Sequence, residues 1–117
     1  MEYLVEMTQA AFTKTPEEGI AFIEVYVLPT LAYANKLKKE RKIIGGGPIA
    51  GQIGFALIIE AETVQEIDEI LESMPIWPRM KTTVTLLTSF EGREVAVKNR
   101  LEAIRKRMAE RKAQQPS

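Results

Sequence analysis

Cysteine and histidine are both absent from the 117 residues of this chain. Without cysteine there are no disulfides, no thiolate metal sites and no cysteine nucleophiles. Without histidine there are no Ser-His or Cys-His catalytic pairs, no imidazole metal ligands and no use of the most frequent general base. Asp68 is the single aspartate, so aspartate-rich calcium and magnesium motifs are excluded as well. We therefore expect no metal site, and an enzyme made from this chain would use Glu, Lys, Arg, Tyr, Ser or Thr.

Long hydrophobic runs are also missing from the sequence. No apolar stretch approaches the roughly 18 residues that a membrane-spanning helix needs. Glu2 and Glu6 interrupt the N-terminal apolar residues, and no basic residue precedes them, which is not typical of a signal peptide. The 16 basic and 16 acidic residues give a formal net charge of zero, which argues against general electrostatic binding to nucleic acid or to an anionic membrane. The sequence predicts a cytoplasmic protein that binds neither.

The first part of the chain predicts a strand followed by a long helix. Residues 2–8 alternate with a period of two, which is typical of a strand. Thr15 and Glu18 have the spacing of a capping box, so we expect a helix over residues 16–39. Pro29 lies inside this helix. Because its ring clashes with the carbonyl four residues earlier and supplies no N–H, we expect a kink there.

The remaining patterns complete an α+β fold. Residues 42–44 and 53–60 predict two strands, and the second is nearly all apolar, which is typical of a central strand. A second capping box opens an amphipathic helix predicted over residues 63–74, and residues 80–90 follow as a strand. The resulting order is the ferredoxin-like βαββαβ arrangement. We expect it to form one domain over residues 1–90.

Three consecutive glycines occupy residues 45–47, immediately before a proline. A phosphate-binding loop would need a strand before such glycines and a helix after them. Here a second strand follows instead, and no Lys-Ser or Lys-Thr pair closes the motif. We therefore interpret the run as a hairpin connection, in which glycine permits positive φ angles and a close approach of the backbone.

The C-terminal region, residues 91–117, predicts an extra amphipathic and basic helix that runs to about residue 112. This helix contains eight basic and four acidic residues. We interpret it as a helix that lies on its own domain or on a neighbouring subunit. A nucleic-acid-binding arm is the less favoured interpretation, because few aromatic residues interleave with the basic ones and four glutamates dilute them. A narrow apolar stripe runs along the helix at spacings of four, three and four: Val97, Leu101, Ile104 and Met108.

Glu6 is the candidate catalytic residue. It lies in the middle of the first strand, on the face opposite Tyr3, Val5 and Met7. In this arrangement the helices cover one face of the sheet, and the other face needs a different cover, often a second subunit. A glutamate that points into such a covered, partly apolar space could carry a proton. The alternative is a glutamate that is exposed at an edge or paired with Lys or Arg.

Four other side chains are candidates for binding a substrate. Arg79 could hold a carboxylate through two hydrogen bonds, and Trp77 could stack on a ligand. Tyr26 and Tyr33 on the first helix could supply polar contacts. A structural alternative stands beside each one. The tryptophan could anchor the turn between helix and strand, the arginine could pair with a surface glutamate, and the tyrosines could pack in the core or at an interface.

Four segments are distinctive: Tyr3-Leu-Val-Glu-Met-Thr8, Ala50-Gly-Gln-Ile-Gly-Phe, Glu60-Ala-Glu-Thr-Val-Gln-Glu-Ile and Met74-Pro-Ile-Trp-Pro-Arg-Met80. They resemble the muconolactone isomerase family. The resemblance implies a dimeric α+β barrel of ferredoxin-like subunits, a pocket between subunits, and the isomerisation of a small lactone carboxylate without a cofactor. It also implies that the partner is a second copy of the chain, often within a larger symmetric assembly.

Two functions from different classes follow. The first is a cofactor-free isomerase that transfers a proton within a small lactone or carboxylic acid, with Glu6 as the acid and base and Arg79 as the carboxylate anchor. The second is a non-catalytic oligomeric module that binds a small molecule or only assembles. The sequence departs from the family in its first strand, where Leu4 and Glu6 occupy positions at which the family often has histidine and lysine.

Overall fold

The computed structural model describes residues 1–114. It divides into two compact units, residues 1–87 and the residues from Thr88 onward. The elements of the first unit are β1 (Glu2–Gln9), α1 (Pro16–Phe22), a π-helical turn (Ile23–Val27), α2 (Leu28–Lys39), β2 (Ile43–Pro48), β3 (Gly54–Glu60), α3 (Val64–Glu72), a 3-10 turn (Trp77–Arg79) and β4 (Met80–Leu87). The second unit contains one helix, α4 (Phe90–Gln114).

The four strands form one sheet in the order β2-β3-β1-β4, and every neighbouring pair is antiparallel. The helical segments α1 and α2 connect β1 to β2, and α3 connects β3 to β4. The predicted α+β fold and the βαββαβ order are therefore confirmed, and the predicted central strand lies between β2 and β1. Within residues 1–114, no helix is both long and apolar enough to cross a membrane.

The hydrophobic core lies between the helices and one face of this sheet. Alternation along β1 and β3 directs every second side chain to the helical side. The spacing of three and four residues along α3 directs its apolar face to the same core. The buried members from these three elements are Tyr3, Val5 and Met7 of β1, Phe55, Leu57 and Ile59 of β3, and Ile67, Ile70 and Leu71 of α3.

Both predicted capping boxes are present. The Thr15 hydroxyl accepts a hydrogen bond from the N–H of Glu18 at 3.1 Å, and Thr63 caps Glu66 in the same way at 3.1 Å. Each box satisfies N–H groups that have no partner inside the first helical turn. The starts of α1 and α3 are thus set by local sequence.

The predicted long helix is continuous over residues 16–39 but widens just before Pro29. The segment Ile23–Val27 is π-helical, and the N–H of Leu28 bonds to the carbonyl of Ile23, five residues earlier. A wider turn of this kind is one way in which a helix adjusts to a residue without an N–H. The disturbance that the sequence predicted therefore takes the form of a π turn.

The interpretation of the glycine run as a hairpin connection is wrong. Residues 45–47 pair with β3 and belong to β2, and the turn lies between Ile49 and Ile53. The pairing shifts by one residue between Ile43 and Gly45. Gly46 has a φ of 81°, so the glycines let an irregular strand lie close against β3 instead of ending it.

Two threonines on the core side allow a matched test of buried hydroxyl groups. The Thr30 hydroxyl is buried and accepts a hydrogen bond from the N–H of Ile76 at 3.0 Å. Thr30→Val leaves that N–H without its partner, and we expect a loss of about 1–3 kcal/mol in the free energy of unfolding, measured by urea denaturation. The Thr82 hydroxyl is buried with no hydrogen-bond partner within the described residues. We therefore expect Thr82→Val to leave stability unchanged or to raise it, and an equal loss in both variants would contradict the assignment.

Candidate functional site

Glu6 lies on the face of the sheet that the helices leave uncovered. Its neighbours Val5 and Met7 are completely buried on the core side, and Glu6 itself is exposed. The predicted side of the strand is thus confirmed. Since this face is open within one chain, Glu6 is accessible there to a ligand or to a second protein surface.

The side chains that flank Glu6 are small. Across the sheet, Glu6 is paired with Ala56 of β3 on one side and with Thr83 of β4 on the other. Ala56 is paired in turn with Gly47 of β2. A Cβ atom added at Gly47 would meet no atom within 4 Å. We call this row of small residues on the open face the slot, and the Glu6 carboxylate is its longest side chain.

Bulkier and charged residues border this slot. The row toward the start of β1 carries the half-buried Leu4 and Ile58, and the row toward its end carries Lys81 opposite Thr8. Within residues 1–114 the carboxylate of Glu6 takes part in no ion pair within 4 Å. The described residues therefore do not form the alternative arrangement, in which a lysine or an arginine of the same chain pairs with Glu6.

Arg79 and Tyr26 come together in a groove on the helical side of the sheet. The guanidinium carbon of Arg79 lies 5.0 Å from the centre of the Tyr26 ring, which is within the range of a cation–π interaction. The Tyr26 ring in turn lies 5.8 Å from the ring of Phe22. The groove has a volume of about 470 Å³ and is also lined by Phe12, Thr13, Glu18, Ala21 and Val25.

The groove and the slot are separate within one chain. The carbonyl of Arg79 accepts a hydrogen bond from Ala10 at 2.9 Å, so Arg79 lies beside the end of β1. That position is four residues beyond Glu6, or about 13 Å along a strand. The two side chains also lie on opposite sides of the sheet. The structure therefore brings Arg79 together with Tyr26 but not with Glu6.

The other two candidates lie outside the groove lining. Tyr33 is half-buried and packs against the core, which agrees with its structural alternative. Trp77 begins the 3-10 turn before β4 and is 37% exposed. No sequence pattern marks Phe12 or Glu18 as a site residue. Phe12 lies in a loop and Glu18 in a capping box, and the positions of both relative to Arg79 depend on the fold.

The described residues offer no candidate metal centre. Within residues 1–114 no three acidic, histidine or cysteine side chains are grouped so that they could hold an ion. The chemistry available to the slot is that of a carboxylate and a threonine hydroxyl.

Comparison with known proteins adds a family and two solved structures. The family model described as muconolactone delta-isomerase matches residues 1–92. A crystal structure of muconolactone isomerase is 20% identical and covers 76% of this chain and 90% of that chain, with a TM-score of 0.62. The 5-chloro-2-hydroxyhydroquinone dehydrochlorinase TftG of Burkholderia phenoliruptrix AC1100, in complex with 2,5-dihydroxybenzoquinone, is 26% identical, and the match covers 79% of this chain and 98% of that chain with a TM-score of 0.58. None of the curated proteins compared matches the chain.

Proposed function

This chain belongs to the muconolactone delta-isomerase family, and from that premise we propose that it is a cofactor-free enzyme that moves a proton within a small lactone or carboxylic acid. Glu6 is the proposed acid and base. The observation that carries the proposal is the position of Glu6 in the row formed with Gly47, Ala56 and Thr83. Small neighbours leave room above the carboxylate for a small ring.

A single carboxylate is sufficient for such a reaction. The ionised Glu6 removes a proton from the ring carbon at the far end of a double bond that is conjugated with the carbonyl group, and the charge that develops spreads onto the carbonyl oxygen. The same side chain then returns the proton to a different ring carbon, so the double bond changes position and no electrons or atoms are lost. The Thr83 hydroxyl, beside Glu6, can donate a hydrogen bond to the developing charge.

We propose further that a second copy of the chain covers the open face. Leu4 and Ile58 on this face are only half-buried within one chain, and a sheet of this kind packs stably when both faces are covered. A cover would also exclude water from the slot, which strengthens electrostatic interactions between Glu6 and a bound substrate. The proposed active site is therefore complete only in a homodimer or a larger assembly.

The related dehydrochlorinase widens the proposed range of substrates. Its name gives 5-chloro-2-hydroxyhydroquinone as its substrate, and its structure is a complex with 2,5-dihydroxybenzoquinone. Both are small oxygenated six-membered rings. For this chain we propose small oxygenated ring compounds, with a lactone carboxylate as the first candidate.

The groove favours a second candidate function, a non-catalytic module that binds a small molecule. Arg79 and Tyr26 meet there, away from Glu6, and an arginine stacked on an aromatic ring suits an aromatic carboxylate. Trp77 and Tyr33 stay secondary candidates for ligand contact. In this alternative the oligomer binds a metabolite without converting it.

An ultraviolet assay of muconolactone isomerisation with the purified full chain tests the proposal. We expect turnover that saturates with substrate and needs no added metal or cofactor. The single tryptophan, Trp77, permits a parallel fluorescence titration with benzoate, compared between the natural chain and Arg79→Met. Saturable binding that depends on Arg79, without turnover of muconolactone or of dihydroxybenzoquinone-type rings, would replace the isomerase with the binding module.

A further inference from the structure

Helix α4 presents an apolar surface that the proposed function does not use. It has 25 residues and none of them is buried. It also lies almost entirely beyond residues 1–92, the part that matches the family. A stripe at spacings of four, three and four is typical of a helix that packs lengthwise on another helix. The side chains of this stripe are 45% to 66% exposed: Val97, Leu101, Ile104 and Met108.

The charges beside this stripe exclude pairing between two copies of α4. In a helix with this spacing, the flanking side chains at the centre are Lys98, Arg100, Arg105 and Arg107. All four are basic. Two such helices packed stripe to stripe, in either direction, would place like charges together, which is unfavourable. The stripe therefore needs a partner whose apolar residues have acidic neighbours.

The outer surface of α1 and α2, the helical stretch of residues 16–39, combines exposed apolar residues with acidic ones. Residues 15–35 contain three glutamates and no basic residue. All three of these glutamates are exposed, and Glu18 is engaged in the capping box, which leaves Glu17 and Glu24. Four apolar side chains of the same region are 47% to 59% exposed: Ile20, Ile23, Val25 and Leu28.

Length and charge together specify how the two helices would align. Residues 16–39 and α4 each extend for about 36 Å at 1.5 Å per residue. Residues 16–39 begin with acidic residues and end with Lys36, Lys38 and Lys39, and α4 begins with Glu91 and Glu94 and becomes basic toward its end. An antiparallel alignment therefore places opposite charges together at both ends, whereas a parallel alignment places like charges together.

We propose that α4 of one copy docks antiparallel on the outer surface of α1–α2 of a second copy. The apolar stripe of α4 covers Ile20, Ile23 and Leu28, and the basic flank that contains Arg105 and Lys112 faces Glu24 and Glu17. The contact is independent of the proposed active site, because it uses neither the open sheet face nor Glu6. It gives this chain an assembly contact in addition to any pairing of sheet faces.

Charge-reversal variants of the full-length chain test the contact. One variant carries Arg105→Glu and Lys112→Glu, two residues seven positions apart that the antiparallel alignment places opposite Glu24 and Glu17, and the other carries Glu17→Lys and Glu24→Lys. We expect each variant alone to self-associate about tenfold more weakly than the natural chain in sedimentation equilibrium at low salt, since several favourable charge pairs become unfavourable. An equimolar mixture is expected to regain the association, because the acidic α4 of one chain then meets the basic α1 of the other.

A matched pair of single variants controls for net charge. Lys106→Glu changes the total charge as much as Arg105→Glu does, but Lys106 lies on the side of α4 away from the stripe. Only Arg105→Glu is expected to weaken association, and circular dichroism should show equal helix content in both. Unchanged association in both double variants overturns the proposal. Recovery only when all four substitutions are in one chain overturns it too, because it shows a contact within a chain.

Discussion

A Glu6→Gln variant is expected to lose turnover of the lactone substrate by about 10²- to 10⁴-fold, the usual contribution of a positioned general acid–base group. Glutamine has the size and shape of glutamate but cannot take up the proton. Because Glu6 is exposed and in no ion pair within residues 1–114, the fold loses no partner in this variant. The loss should therefore appear in kcat with little change in the unfolding midpoint.

Glu2→Gln is the matched control for this experiment. Glu2 lies on the same strand and the same face, but it is paired with Glu60 and Leu87 at the end of the sheet. We expect its turnover to stay within about twofold of the natural chain, since surface substitutions away from a site have small effects. Equal activity in the Glu6 variant and in this control would remove Glu6 from the mechanism, even if the chain is an isomerase.

Gly46→Ala is expected to cause the largest loss of stability of any single methyl addition in β2. Gly46 has a φ of 81°, a region that residues with a Cβ atom adopt at a cost. The added Cβ would also overlap the carbonyl oxygen of Ala56 on the neighbouring strand. Backbone atoms cannot move away as a flexible side chain can. We expect a loss of about 3 kcal/mol or more in the free energy of unfolding, or a chain in which β2 no longer pairs with β3.

Gly47→Ala provides the comparison one residue away. Gly47 has no atom within 4 Å of the position of an added Cβ, so we expect a change within about 0.5 kcal/mol. Urea denaturation of the two variants measures the difference directly. Similar unfolding midpoints would show that β2 does not lie against β3 as described, and the slot beside Ala56 would then lose its support.

Local sequence predicted most of the fold because its patterns act over short distances. The period of two in residues 2–8 identified β1 and placed Glu6 opposite the core face. The capping boxes at Thr15 and Thr63 identified the starts of two helices. Each of these patterns depends on hydrogen bonds or burial within a few residues. In the structure, the distance from the capping threonine hydroxyl to the backbone nitrogen is 3.1 Å in both boxes. Given the order of elements, only a few topologies allow both helical connections to cover the same face of a four-stranded sheet.

The glycine run could not be assigned in the same way. Glycine is favoured in turns, and also where a strand backbone comes close to its neighbour. Residues 45–47 have the second role, which is visible only from the position of Ala56 across the sheet. Telling these two roles apart requires the position of Ala56, which lies about ten positions after Gly46 in the chain.

The sequence by itself determined which chemistries are available: no thiol, no imidazole, a glutamate in the middle of a strand on the face away from the core, and a basic helix with an apolar stripe. Only the tertiary structure decided which candidates meet. It placed Glu6 beside Ala56 and Thr83 through strand register, and it placed Arg79 over Tyr26 on the other side of the sheet. Register and layer position arise from contacts between distant parts of the chain, so the pattern of a single segment does not contain them.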